Sequence, residues 1–178
     1  MAKDNVVYHG LAGHFFLQDI AHVFKVRIIA KMEDRVKEEM KRENCSAEEA
    51  RYMLKKDDAE RNKWALALYG KDTYNCNLYD MVLHIDSMTV EDVVDILAGM
   101  VEKGRFQATP ESFELLRTKA LLANIHAKIV NIAPRATVDI RDGVVTLDNL
   151  NGSLKNDSEQ RRKIAARLIQ TYGLKDVV

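Results

Sequence analysis

Cysteine and proline are nearly missing from this chain, two of each in 178 residues. Cys45 and Cys76 stand in unrelated contexts, too few for a disulfide framework or a metal knuckle, so a reduced, cytoplasmic protein is the expectation. An excess of either charge is missing too. The 27 acidic side chains balance 27 basic ones, so no net field draws the chain to nucleic acid or an anionic membrane, and neither is an expected partner. No apolar run approaches the ~20 residues of a membrane span, and the start MAKDNVVYH lacks the apolar stretch of a signal peptide. Glycine is sparse at eight residues, and no Gly-x-x-x-x-Gly-Lys-[Ser/Thr] run joins a strand to a helix. His9, His14 and His22 are off zinc spacing and His84 and His126 are isolated, so no metal site is expected.

What is present reads as a soluble globular protein, 47% hydrophobic and 30% charged. Val6-Val7-Tyr8 suits a short buried strand that stops at the Gly10–Gly13 turn. The β-branched run from Val23 to Met32 predicts a central strand in its right half. A helix opens at Glu33 and runs through Arg42, with acids in the first turn and bases in the last. Ser46 with Glu49 predicts a capping box and a second helix reaching Tyr69, stopped by Gly70. Trp64 is placed on that helix's apolar side with Leu68, in the core. Tyr79 to Ile85 predicts a third strand. Thr89 with Asp92 caps a helix whose Val90, Val93, Val94, Leu97 and Val101 share a face. After Lys103-Gly104-Arg105 the grammar changes. Thr109-Pro110 opens a helix to about Val130, strands follow over 136–141 and 144–150 around Asp142-Gly143, a last helix ends at Gly173, and Val177-Val178 adds an edge strand.

The densest polar segment is Lys55-Lys56-Asp57-Asp58-Ala59-Glu60-Arg61-Asn62-Lys63. Asp57 and Arg61 are four apart and can pair on a helix, and a carboxylate that fixes a guanidinium fork is how a phosphate-gripping arginine is positioned. Taken alone, the same letters also describe a solvated, salt-bridged helix face.

The order of these pieces is a strand, a helix with Arg35, a Ser46-capped helix with Glu48-Glu49-Ala50, the DDAERNK segment, and Tyr79-Asp80-Met81-Val82-Leu83. Over roughly residues 5–103 it resembles the lid-bearing half of cytidylate kinase and its cytidylate-kinase-like relatives. The resemblance implies a phosphate- or nucleotide-binding set in which Arg61 is a lid arginine, Asp58 its orienting partner and Arg35 a contact at the lid base. Lys56 and Lys63 stand where arginine is usual, and His9, before Gly10, stands where the family carries a monophosphate-holding arginine. Without a phosphate-cradling loop, transfer by this chain alone is not expected; ATP with magnesium would serve only if an upstream segment supplied that loop. The Val138–Leu147 hairpin and the Gly173-Leu174-Lys175-Asp176-Val177 ending resemble the BON family of binding modules.

The expected fold is therefore α/β: a partial P-loop-kinase-like parallel sheet with helices over residues 1–106, then a small BON-like α-β-β-α-β domain over 110–178. A rival reading is a non-catalytic regulatory protein that uses the BON-like domain to bind a ligand or partner. In the fold the first half resembles, the loop-bearing strand lies between the strands corresponding to Val6–Tyr8 and Val26–Met32. An empty slot there would leave backbone groups unpaired at roughly 1–3 kcal/mol each, so a homo-oligomer or a strand-donating partner chain is expected.

Overall fold

The computed structural model describes residues 5–150, 154 and 156–178. The chain divides into one unit that ends at Ser112 and a second running Phe113–Val178. Both mix helices with strands, so the fold is α/β in the broad sense.

The first unit is built on strand β1 (Val26–Ala30), helix α1 (Met32–Glu43), helix α2 (Ala47–Tyr69), strand β2 (Met81–Ile85) and helix α3 (Val90–Val101). Its helix ends follow local chemistry. Ser46 Oγ accepts from Glu49 N–H, while Glu49 Oε2 accepts from Ser46 N–H at 2.9 Å. Thr89 and Asp92 repeat this box at the start of α3. Each box satisfies two backbone donors that the first helical turn leaves over. Gly70 closes α2 at φ 62°, a left-handed turn that a side chain would strain.

β1 and β2 pair in parallel, Val26 opposite Met81 through Ala30 opposite Ile85. Two ion pairs bracket the rungs, Lys25–Asp80 at 2.9 Å and Lys31–Asp86 at 2.6 Å. The register puts Val26, Ile28, Ala30, Met81, Leu83 and Ile85 on one face, and none of the six is fully buried. Ile28 is 52% exposed and Ile29, on the other face, 36%. Parallel strands ordinarily lie under cover on both faces.

Two sequence expectations fail here. Val6–Tyr8 forms no strand; all three residues are exposed, Val7 at 99%. β-branched residues favour extended backbone, but without a neighbouring strand or apolar cover that preference stabilises no ladder. Instead the Tyr8 ring lies over the turn, where a Cβ on Gly10 would fall 2.2 Å from its hydroxyl and one on Gly13 2.4 Å from the ring. Trp64 and Leu68 are not core residues: both are exposed, and the Trp64 ring meets Tyr69 edge-on at 5.2 Å. The apolar stripe of α3 exists but buries only Val93, leaving Val90 70% exposed.

The second unit is more closed. Helix α4 (Pro110–Ile129), whose first turn receives Thr109 Oγ1 on Ser112 N–H at 3.2 Å, carries the chain into it. Strands β3 (Thr137–Arg141) and β4 (Val144–Asp148) form the hairpin that Asp142-Gly143 predicts, both turn residues at positive φ. After helix α5 (Ser158–Tyr172), strand β5 (Asp176–Val177) joins β4 in parallel, giving the order β3-β4-β5. Val145, Ile125, Leu168 and Leu174 form one buried cluster, and Ile129, Ala133, Ala136 and Leu154 a second.

Candidate functional site

α2 presents the polar segment to its neighbours, and the structure distributes the predicted residues unevenly along it. Arg35, one turn into α1, forks onto Asp58 of α2: Nη1 donates to Oδ2 at 2.7 Å and Nη2 to Oδ1 at 2.9 Å. This bidentate geometry is the strong form of an arginine–carboxylate pair. The hydrogen bonds to Asp58 hold the Arg35 guanidinium above even its usual high range, so it stays charged throughout. Asp58 spends both oxygens on Arg35, not on Arg61. Arg61 instead lies 3.9 Å from Asp57, four residues back, and both are about half exposed. Its guanidinium faces solvent with only a loose partner. Lys56 is likewise loosely paired, 3.9 Å from Glu60. Lys63 lies further along the helix in an exposed position, and His9 and Gly10 sit in the exposed turn near the start of the chain.

Sequence reasoning missed Arg27. Its place in the middle of an apolar strand, Val-Arg-Ile-Ile-Ala, was the available signal. Arg27 Nη1 donates to the Thr73 carbonyl, which also accepts from the Tyr79 hydroxyl at 3.1 Å. The guanidinium lies 5.1 Å from the Tyr74 ring centre and 5.8 Å from that of Tyr79, within cation–π range. Asn62 of α2 completes the link: its Oδ1 accepts from both the N–H and the hydroxyl of Thr73, at 2.9 Å each. Strand, loop and helix are thus tied through one residue, Thr73. Behind it His14 stacks on Tyr79 at 5.0 Å. Burial pushes the His14 imidazole below its usual range, and its Nε2 has no hydrogen-bond partner among the described residues.

Between α2 and the loop lies an open trough of about 680 Å³ lined by Ala59, Asn62, Lys63, Leu66, Ala67 and Tyr74. The five helical residues recur at three- and four-residue spacing, so they form a single stripe. The trough itself offers an ammonium, a carboxamide and an aromatic wall, whereas Arg61 and its partner Asp57 project from the opposite face of α2. No group of three or more His, Cys, Asp or Glu side chains among the described residues is placed to hold a metal ion. No helix among the described residues is long and apolar enough to cross a membrane.

The profile of the cytidylate kinase-like family matches residues 1–87, the stretch that carries β1, α1, α2 and β2 with Arg27, Arg35, Asp58, Arg61 and Lys63. A cytidylate kinase of Sulfolobus acidocaldarius is 24% identical over 102 residues, which are 57% of this chain and 56% of that protein. The chain therefore spans little more than half the length of the curated relative it matches. No solved structure matches it.

Proposed function

We propose that the first unit is a cytidylate kinase-like nucleotide-binding module whose α2 acts as a phosphate-clamping lid. The observation that carries this reading is the Arg35–Asp58 fork. It anchors one cation midway along α2 and leaves Arg61, one turn on, half exposed and weakly held. An exposed guanidinium beside a fixed one costs little to recruit to phosphate, because no strong ion pair has to be broken first. Lys63 adds a point charge further along, and the family match over residues 1–87 supports the same assignment. The nucleotide, and ATP with magnesium in a complete kinase, fit the cationic residues present only as acceptors of clamping contacts. No glycine-rich cradle for a donor's β- and γ-phosphates stands in these residues. On this reading the chain by itself binds and does not transfer.

Calorimetric titration of CTP, ATP and sulfate into wild type and Arg61→Ala tests the clamp. A charge-assisted contact contributes on the order of 1.5–3 kcal/mol, so the variant is expected to bind roughly tenfold or more weakly. Equal affinity in both proteins would return the segment to a solvated helix face. A coupled assay with ATP and CMP, dCMP or UMP checks the second half of the reading: turnover within the usual kinase range of about 1–100 s⁻¹ overturns it.

The exposed sheet favours a second reading, an interaction role alongside binding. β1 and β2 carry apolar side chains on a face that nothing in the unit fully buries, and a two-stranded ribbon has open edges that attract another strand. On this reading a second copy of the chain pairs along the sheet in a closed dimer, and the BON-like second unit is a binding module. Light scattering at micromolar concentration is expected to show a dimer that Ile28→Lys dissociates. A monodisperse wild-type monomer removes this reading and leaves the clamp untouched.

A further inference from the structure

We infer that the outer face of α3 is a docking surface for a basic amphipathic helix of another protein, apolar along one row and carrying Lys or Arg along the next. The inference goes beyond the clamp and the sheet pairing, since it uses residues of neither.

Three observations converge. The first is an apolar row left in water. Val90, Val94, Leu97 and Val101 follow one another at spacings of four, three and four, the period at which paired helices mesh. Val93 is the one buried residue of α3, while Val90, Val94 and Val101 are 70%, 55% and 45% exposed. At ~1.5 Å of rise per residue the row is about 16 Å long, room for roughly three turns of a partner helix.

The second is an acidic row beside it. Glu91, Asp95 and Glu102 each stand one position after a member of the apolar row, so they lie together along one of its flanks. All three are exposed, and none has a hydrogen bond or ion pair from its side chain among the described residues. Exposed acids elsewhere are answered locally: on α1, Asp34 and Glu38 each hold a lysine three residues on. Between Val90 and Val101 there is no Lys or Arg, so α3 carries no counter-charge of its own.

The third is rigidity. The Thr89–Asp92 box fixes the first turn, and Gln107 Nε2 donates to the Val101 carbonyl at 2.7 Å at the other end. A helix closed at both ends loses little freedom when a partner arrives.

Charge decides the occupant. A partner helix with a matching apolar row covers the valines, and Lys or Arg on its flank meets the acidic row. A bilayer does not fit, because helices that lie on membranes carry Lys and Arg toward anionic headgroups, the opposite sign to this flank. A second copy does not fit either: antiparallel pairing of two α3 helices would set the acidic rows against each other, and like charges at that range repel.

The test uses synthetic helices of about three heptads, long enough to hold helical structure, titrated into the full chain by fluorescence anisotropy. One has a Leu row flanked by Lys, a second has Glu for every Lys, and a third keeps Lys but has Ser for Leu. Three exposed ion pairs together support a preference of roughly tenfold for the Leu/Lys peptide over its Leu/Glu twin. Reversing the row with Glu91→Lys, Asp95→Lys and Glu102→Lys together is expected to invert that preference. Val94→Ser with Val101→Ser is expected to weaken the Leu/Lys peptide toward the level of the Ser/Lys one. Asp92, which caps the helix, is untouched in every variant, and circular dichroism confirms that each folds. Equal binding of the Leu/Lys and Leu/Glu peptides overturns the inference, as does a preference that survives the triple reversal. Equal binding of the Leu/Lys and Ser/Lys peptides reduces it to charge attraction and also overturns it. Two further results reassign the face: Val94-dependent sedimentation with phosphatidylcholine vesicles gives it to a bilayer, and loss of a dimer on Val94→Ser in light scattering gives it to a second copy.

Discussion

In the second unit, three strands and two helices enclose Val145 and Ile125, neither of which has any accessible surface. In the first, two strands of similarly apolar composition hold Ile28 and Ile29 partly in water, and α3 buries one valine of its stripe. Both regions have the apolar periodicity of folded protein, but they differ in what lies against it. A hairpin closes itself through its turn, and β5 then seals the other edge of β4. A parallel pair has no such shortcut, since its strands are joined by two helices and every further strand must come from elsewhere. The first unit buries Ile20, Val36, Ala50, Ala65 and Leu78 away from that sheet face, and side-chain ties supplement them: the Arg35–Asp58 fork, the two lysine–aspartate bridges and the Thr73 junction.

That contrast has measurable consequences. The largest is expected at Ile125. Truncation to Ala leaves a cavity in the closed core and should cost about 2–5 kcal/mol by urea unfolding, whereas Ile28→Ala on the exposed sheet face should stay within about 0.5 kcal/mol. Equal costs would mean that the sheet is as well covered as the hairpin and would abolish the distinction. A smaller loss is expected for Asp58→Asn, which keeps the shape of the fork but removes its charge. The pair is close to a third exposed, so solvent screening limits the cost to about 1 kcal/mol, read by the same urea titration. No loss at all would show that packing between α1 and α2, and not the fork, joins them.

The smallest effect concerns pH. Burial depresses the His14 imidazole in the folded chain, so below its usual value near 6.5 the unfolded state binds the extra proton first. Stability contributed by neutral His14 is complete above that pH and is lost as pH falls toward the folded value. Melting temperatures at pH 7.5 and 5.5 should therefore separate more for wild type than for His14→Gln. Identical separations would show that His14 takes its proton as readily folded as unfolded.

Sequence reasoning succeeded where the cause lies within a few residues. The Ser46 and Thr89 boxes, the Gly70 stop and the Asp142-Gly143 turn are each decided by chemistry inside one turn of chain, and each stands where expected. It failed where the deciding partner is remote. Val6–Tyr8 has strand-forming side chains but no strand to join, and Trp64 has an apolar ring but no cover. Asp57–Arg61 was legible as a four-residue spacing, whereas the tighter Arg35–Asp58 fork spans 23 positions and was not. The Arg27–Thr73–Asn62 junction was hidden for the same reason. Its three members come from a strand, a loop and a helix, and their letters carry no common period.

The two bridges at the ends of β1 and β2 have one more consequence. A strand's side chains alternate between faces, so a slip of one residue is a parity error that exchanges the faces of every residue at once. Lys25 with Asp80 and Lys31 with Asp86 are spaced by six positions on each strand, an even number, and both would be broken by a single-step slip. They act as the two stops of a ruler. Any polypeptide that adds along the free edge of β1 meets a reading frame already fixed, with Val26, Ile28 and Ala30 on one side and Arg27 on the other. Its own alternation must therefore match that frame from the first rung.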